Sequence, residues 1–259
     1  MLFGKYASRR SEAKYPRLWR GLLSAYCPVI QPPSGLRLYD FSGRSQEGAI
    51  ADAAVWGRDS RCALISTATT QFGTLPLSVL PSGSNSRSVS MWVRCTENAR
   101  RGFIGNRPVA VSNGWFFGEL TSTSIWAAVI GVGSASATVP SLLNRVAHVG
   151  MTHDVTNDSI TFYCDGIPVG SSTMTLGPQS TAAGTYLGRE QQGEAAETLI
   201  GSIFECNTWS RVLRPSEMRL LALRPGILFD PKPLSSLFGY GFRPHFVRRQ
   251  NQIIGGGLG

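Results

Sequence analysis

Along most of the chain, apolar and polar residues alternate in short runs, and few stretches carry the i, i+3, i+4 spacing of an amphipathic helix. Leu36-Arg37-Leu38-Tyr39-Asp40 is the first clear case, and Phe41-Ser42-Gly43 closes it with turn residues. Alternation returns at 75–80, 88–94, 109–117, 125–132, 146–153, 159–164, 185–188 and 200–209. Each run has strand length and is bounded by Gly, Pro, Asn, Asp or Ser, which predicts antiparallel strands joined by short turns rather than β-α-β units. Gly21–Tyr26 predicts a further strand before them. The one helix expected inside the domain is 215–223, where Pro215 suits a first turn and Arg224-Pro225-Gly226 stops the helix. No fixed-period repeat is present, which excludes a propeller or solenoid. The expected fold class is all-β, an antiparallel jelly-roll sandwich with extended N- and C-terminal arms and one short helix near the end of the domain.

Composition sharpens this picture. Charged residues make up 16% of the 259, against 29 Gly and 15 Pro, so turns outnumber charged helical surfaces. The formal charge is +9. Six basic residues and one acidic residue lie in 1–20, and eight basic with two acidic in 211–259, leaving the middle slightly acidic. Three segments follow: a basic arm at 1–20, a sandwich at 21–225, and a second basic arm rich in Gly, Pro and aromatics at 226–259. The arms mix Arg with large rings, the composition of interface anchors. The expected partner-binding residues are Arg9, Arg10, Tyr15, Arg17, Trp19 and Arg20 at one end, and Phe242, Arg243, Phe246, Arg248 and Arg249 at the other.

Five cysteines form no CxxC pair and no Cys/His cluster, so neither a zinc site nor a disulfide framework is expected, and no metal or cofactor is assigned. The apolar stretch 21–27 is short for a signal-peptide core, and nothing approaches the ~20 apolar residues of a membrane span. A non-secreted protein without membrane contact is the expectation.

Taken in order, several segments resemble the laminin-G-like branch of the concanavalin-A-like superfamily, over roughly 21–223. They are Leu38–Gly43 with Gly48, Ser88–Val93, Arg145–Asp154, Ile160–Gly166 and Ile200–Leu213 with Ser216-Glu217. The resemblance implies a lectin-like sandwich, with loops or an exposed sheet face as the binding surface. Enzymes of this broad fold include glycoside hydrolases, which need two carboxylates flanking the bond. No run here carries two carboxylates on one face, and His148 and His153, five apart, face opposite sides of their strand, so no catalytic set is assigned. Asn113, Trp115, Phe117 and Trp126 are the candidate glycan-binding residues, with Glu119 as a possible hydroxyl partner. Asp40 reads as a turn residue.

Two functions compete. The leading expectation is a non-enzymatic virion component, a capsid decoration, cement or fibre-like protein resembling those of tailed phages. It would be held by its arms to the major capsid protein or other virion subunits in many copies or as a homo-oligomer. The alternative is a glycan-binding adhesin. Nucleic acid is not the expected partner, because no binding motif accompanies the basic ends and 22 of the 25 basic residues are Arg, suited to carboxylates on proteins as well as to phosphate.

Overall fold

A computed structural model describes residues 13–31, 35–50, 55–57, 63–68, 70–80, 85–106, 114–129, 132–174, 184–190 and 197–231. In chain order the strands are β1 (Leu22–Tyr26), β2 (Arg37–Leu38), β3 (Gly48–Ile50), β4 (Val55–Gly57), β5 (Ala63–Ser66), β6 (Gly73–Leu75), β7 (Arg87–Cys95) and β8 (Arg101–Gly105). Then come β9 (Trp115–Thr121), β10 (Ser124–Val129), β11 (Gly133–Thr138), β12 (Val146–Asp154), β13 (Ser159–Cys164), β14 (Ile167–Thr173), β15 (Thr185–Leu187) and β16 (Gly201–Trp209), followed by helix α1 (Pro215–Leu221). They form two antiparallel sheets that stack as a jelly-roll sandwich. The first runs β14-β13-β12-β7-β16-β5-β4, with β1 also paired to β16, and the second runs β11-β10-β9-β8-β15-β6-β3-β2.

Period-2 patterning decides what each strand buries. In β7, Val89, Met91, Val93 and Cys95 enter the space between the sheets, where they meet Val149, Met151, Phe162, Phe103, Phe117 and Trp115. The Asp165-Gly166 dipeptide turns β13 into β14 with φ of 50° and 76°, the paired left-handed conformation that two-residue hairpins require. Asp40 closes its own loop: its carboxylate accepts the amides of Ala25, Ser42 and Gln46 at 2.9 Å each and the Ser42 hydroxyl at 2.6 Å. With four donors spent on it, Asp40 is a turn residue.

A second hydrophobic core lies on the outer side of the first sheet. Leu18, Trp19, Leu22, Trp209, Leu213, Met218, Leu221, Ile227, Leu228 and Phe229 pack there with Tyr163. Helix α1 sits on the sheet through the Trp92 indole, which donates to Leu221 O at 3.1 Å, and Gly150 leaves room for the Met218 thioether. The Trp209 indole donates to Leu18 O at 2.6 Å, and the Trp19 indole to Leu228 O at 3.0 Å. Ala13 pairs with Pro231 in an isolated bridge, with Lys14 N donating to Asp230 O at 2.7 Å.

This core crosses both boundaries expected from the sequence. Residues 13–20 and 226–231 are packed against the sandwich, and Trp19, expected as a partner anchor, is 8% exposed inside its own chain. The reason is chemical: an indole and an adjacent leucine in a short turn find apolar cover on the sheet's outer face sooner than in water. The four described cysteines, Cys27, Cys95, Cys164 and Cys206, are buried free thiols.

Candidate functional site

The chain's own N-terminal turn, α1 and the 227–229 turn cover the centre of the first sheet's outer face. Among the described residues no such layer covers the β9–β11 part of the second sheet. Along β11, Ser134, Ser136 and Thr138 point outward and are exposed, while Ala135 and Ala137 point inward. On β10 the inward residues are Ile125, Ala127 and Val129, which leaves Trp126 on the outer face, in register with Ser136 on one side and Gly118 on the other.

Trp126 is half-buried. The Phe116 ring stands edge-on to it at 4.5 Å, and the Arg100 guanidinium lies over the indole at 4.5 Å. Such a cation above a π face is attracted by the ring quadrupole. Arg100 is fixed from its other side by carboxylates. Its Nη2 lies 2.6 and 2.8 Å from the two Glu190 oxygens and 2.9 Å from Glu197 Oε1, and its Nε donates to Glu190 at 3.2 Å. Glu190 is 0% exposed, whereas the Arg100 side chain is 39% exposed. The second sheet makes room for Glu190 with glycines: a Cβ on Gly102 would fall 2.2 Å from Glu190 N, and one on Gly105 would fall 2.3 Å from Glu190 O.

The chemical result is a cation held in one orientation. Nη1 of Arg100 has no hydrogen-bond partner among the described residues, and the Arg100 side chain is accessible beside the Trp126 ring. A ligand offering oxygen acceptors on that aromatic surface would satisfy it, whereas the Trp126 indole N–H is buried on the ring's inner edge and is no donor to such a ligand.

The other predicted ring positions lie elsewhere. Trp115 and Phe117 are 0% exposed between the sheets, where Phe117 stacks on Phe162, and neither reaches the surface. Phe116, Gly118 and Leu120, their neighbours on β9, face outward; alternation shows that faces differ but not which one is solvated. Glu119 shares the inner face, where burial pushes it up to about 7 against the opposing pull of the Cys95 thiol and Arg101. It cannot meet a hydroxyl of an outside ligand. Asn113 lies outside the described residues.

Of the predicted anchors, Tyr15 is half-buried with the Lys14 ammonium over its ring, and Arg17 and Arg20 are exposed. Arg9, Arg10, Phe242, Arg243, Phe246, Arg248 and Arg249 lie outside the described residues. His148 is buried, accepts or donates one bond with the Ser90 hydroxyl at 2.9 Å, and is lowered to about 4 by burial; it is part of the packing under α1. Among the described residues no cluster of His, Cys, Asp and Glu could hold a metal ion.

A family model described as the concanavalin A-like lectin/glucanases superfamily matches residues 67–219. Among solved structures, the chain is similar to the binding domain of Paraclostridial mosquitocidal protein 1, at 14% identity and TM-score 0.59, covering 79% of this chain and 52% of that one. It is similar to the botulinum neurotoxin serotype D binding domain, at 14% identity and TM-score 0.61, covering 79% and 51%. It is also similar to Trypanosoma rangeli sialidase in complex with sialic acid, at 15% identity and TM-score 0.58, covering 79% and 33%. At these identities the likeness is one of fold. The chain spans about half the length of the two toxin domains. No curated protein matches its sequence.

Proposed function

The chain belongs to the concanavalin A-like lectin/glucanases superfamily, and on that premise we propose that it is a non-catalytic carbohydrate-binding module whose ligand lies on the outer face of the second sheet. One observation carries the reading: Trp126 stands half-exposed on a sandwich face that has no covering layer among the described residues, beside a guanidinium locked by two carboxylates. An aromatic plane next to fixed donors is the combination that binds a sugar, whose C–H faces are apolar and whose rim is hydroxyl. That solved structures of this fold include toxin binding domains supports binding over catalysis.

A glycan array probed with the full chain tests it. Binding to at least one saccharide is expected, weakened about tenfold or more by Trp126→Ala, equivalent to about 1.4 kcal/mol. A blank array with folded protein, or binding indifferent to Trp126→Ala, refutes the proposal.

A second reading keeps the assembly role expected from the terminal runs. The Ala13–Pro231 bridge supports it, because residues 1–12 and 232–259, both net basic, join the sandwich at one spot. In this reading those two runs, and not Trp19, hold the chain to virion subunits. Attachment to particles that survives removal of both runs would rule it out.

A further inference from the structure

A cleft of about 400 Å³ opens where the N-terminal turn meets the end of β16 and the start of α1. Its size is that of a small-molecule site rather than of a surface dimple. Four arginines line it, Arg17, Arg20, Arg211 and Arg214, against one acidic residue, Glu217.

Arg211 is a rivet. Its Nε donates to Arg20 O at 2.6 Å and its Nη2 to Arg17 O at 3.0 Å, while Nη1 and Nη2 reach the two Glu217 oxygens at 2.8 and 2.7 Å. Burial would raise Glu217, but the Arg211 pair and the Arg214 amide outweigh it and hold the carboxyl below its ordinary range. The Arg211–Glu217 pair therefore cancels its own charge and clamps one wall, residues 17–21, to the other, residues 210–217. Gly21, at φ 72°, bends the first wall past the Arg211 side chain, whose Cγ a Cβ there would approach to 3.2 Å.

What remains is a fixed concavity with cations to spare. The side chains of Arg17 and Arg20 are exposed and make no hydrogen bond or ion pair among the described residues, and Arg214 is exposed on the opposite wall. Ser216 also lines the cleft, and a serine hydroxyl can donate. Guanidinium forks from two walls suit a tetrahedral oxyanion, which can accept from several directions at once.

We propose that this cleft is an anion site for a small organic phosphate or sulfate ester, with Arg17, Arg20 and Arg214 as its ligating cations. It is independent of the Trp126 surface, which lies on the other sheet. Inorganic phosphate presents the same charge but would not use the remaining volume.

The test is isothermal titration of the full chain with glucose 6-phosphate, glucose 6-sulfate and inorganic phosphate at low and at physiological ionic strength. Saturable binding of at least one ester is expected, tighter than inorganic phosphate and weaker at higher salt. The double variant Arg17→Gln/Arg20→Gln should bind about tenfold or more weakly with an unchanged melting temperature, since both side chains are solvated; Trp126→Ala should leave this binding intact. No saturable ester binding, inorganic phosphate binding as tightly as the esters, or a double variant that binds like the parent each overturns the proposal. So would a short duplex DNA bound through these arginines in place of the esters.

Discussion

Replacing Trp19 by alanine tests whether the second core stabilises the whole fold. The ring is 8% exposed, meets Phe229 edge-on at 6.0 Å, and its indole donates to Leu228 O. Truncating a buried tryptophan costs about 3–5 kcal/mol through lost transfer energy and the cavity left behind. The total stability of a domain is about 5–15 kcal/mol, so this one ring, 209 residues from Leu228 in sequence but bonded to it in space, carries a sizeable share.

 The conservative Trp19→Phe keeps most of the packing and loses the indole bond, so it should cost about 1–3 kcal/mol, the price of leaving Leu228 O unpaired. Urea unfolding followed by circular dichroism reads both values, and for a domain of this size the alanine variant should melt roughly 10 °C lower. If Trp19→Ala stays within about 1 kcal/mol of the parent, far below the cost of a filled core position, then the N-terminal turn is a loose cover and the two-core account is wrong.

Two further predictions concern the second sheet. Glu119 has its folded-state pKa raised to about 7 by burial, above the value of 4.5 for the open chain. Its protonated form is the one the fold prefers, so its full contribution is present below about 4.5, falls as pH rises through the window to about 7, and stays lost above it. Glu119→Gln should therefore raise stability at pH 8 by up to about 3 kcal/mol and leave pH 4 nearly unchanged; an equal effect at both pH values would refute the assignment. Gly102→Ala should displace the backbone of Glu190, which a Cβ would meet at 2.2 Å, and cost about 1–3 kcal/mol or more together with saccharide binding at Trp126. Gly133→Ala, with open space around the added atom, is the control; matched melting curves for the two variants would show that no such crowding exists.

Much of the sandwich was legible because its strands are half-buried and their alternation is a direct image of the pleat. The run 159–164 is β13 residue for residue, 88–94 lies within β7, and 200–209 differs from β16 by one position. The helix expected over 215–223 ends at Leu221, with Pro215 in its first turn as anticipated. The second core was not legible. Residues 13–20 have no apolar periodicity, because Leu18 and Trp19 are adjacent and both buried in a turn, a geometry that neither a helical nor a strand pattern describes. The site was half-legible. Trp126 stands out as a ring in an alternating strand, but so do Trp115 and Phe117, and only the sheet's two faces separate them. Arg100, Glu190 and Glu197 carry no local signal at all, since they meet through strand register and through the room left by Gly102 and Gly105.

The pairing of Ala13 with Pro231 has a mechanical consequence. Tension applied through the two flanking runs would act at a single corner of the molecule and load the Lys14–Asp230 bond first, then the Trp19–Leu228 bond, one after another. Bonds loaded in series yield at low force, whereas the strands of the sandwich, lying beyond that corner, would bear little of the pull until the corner had peeled away.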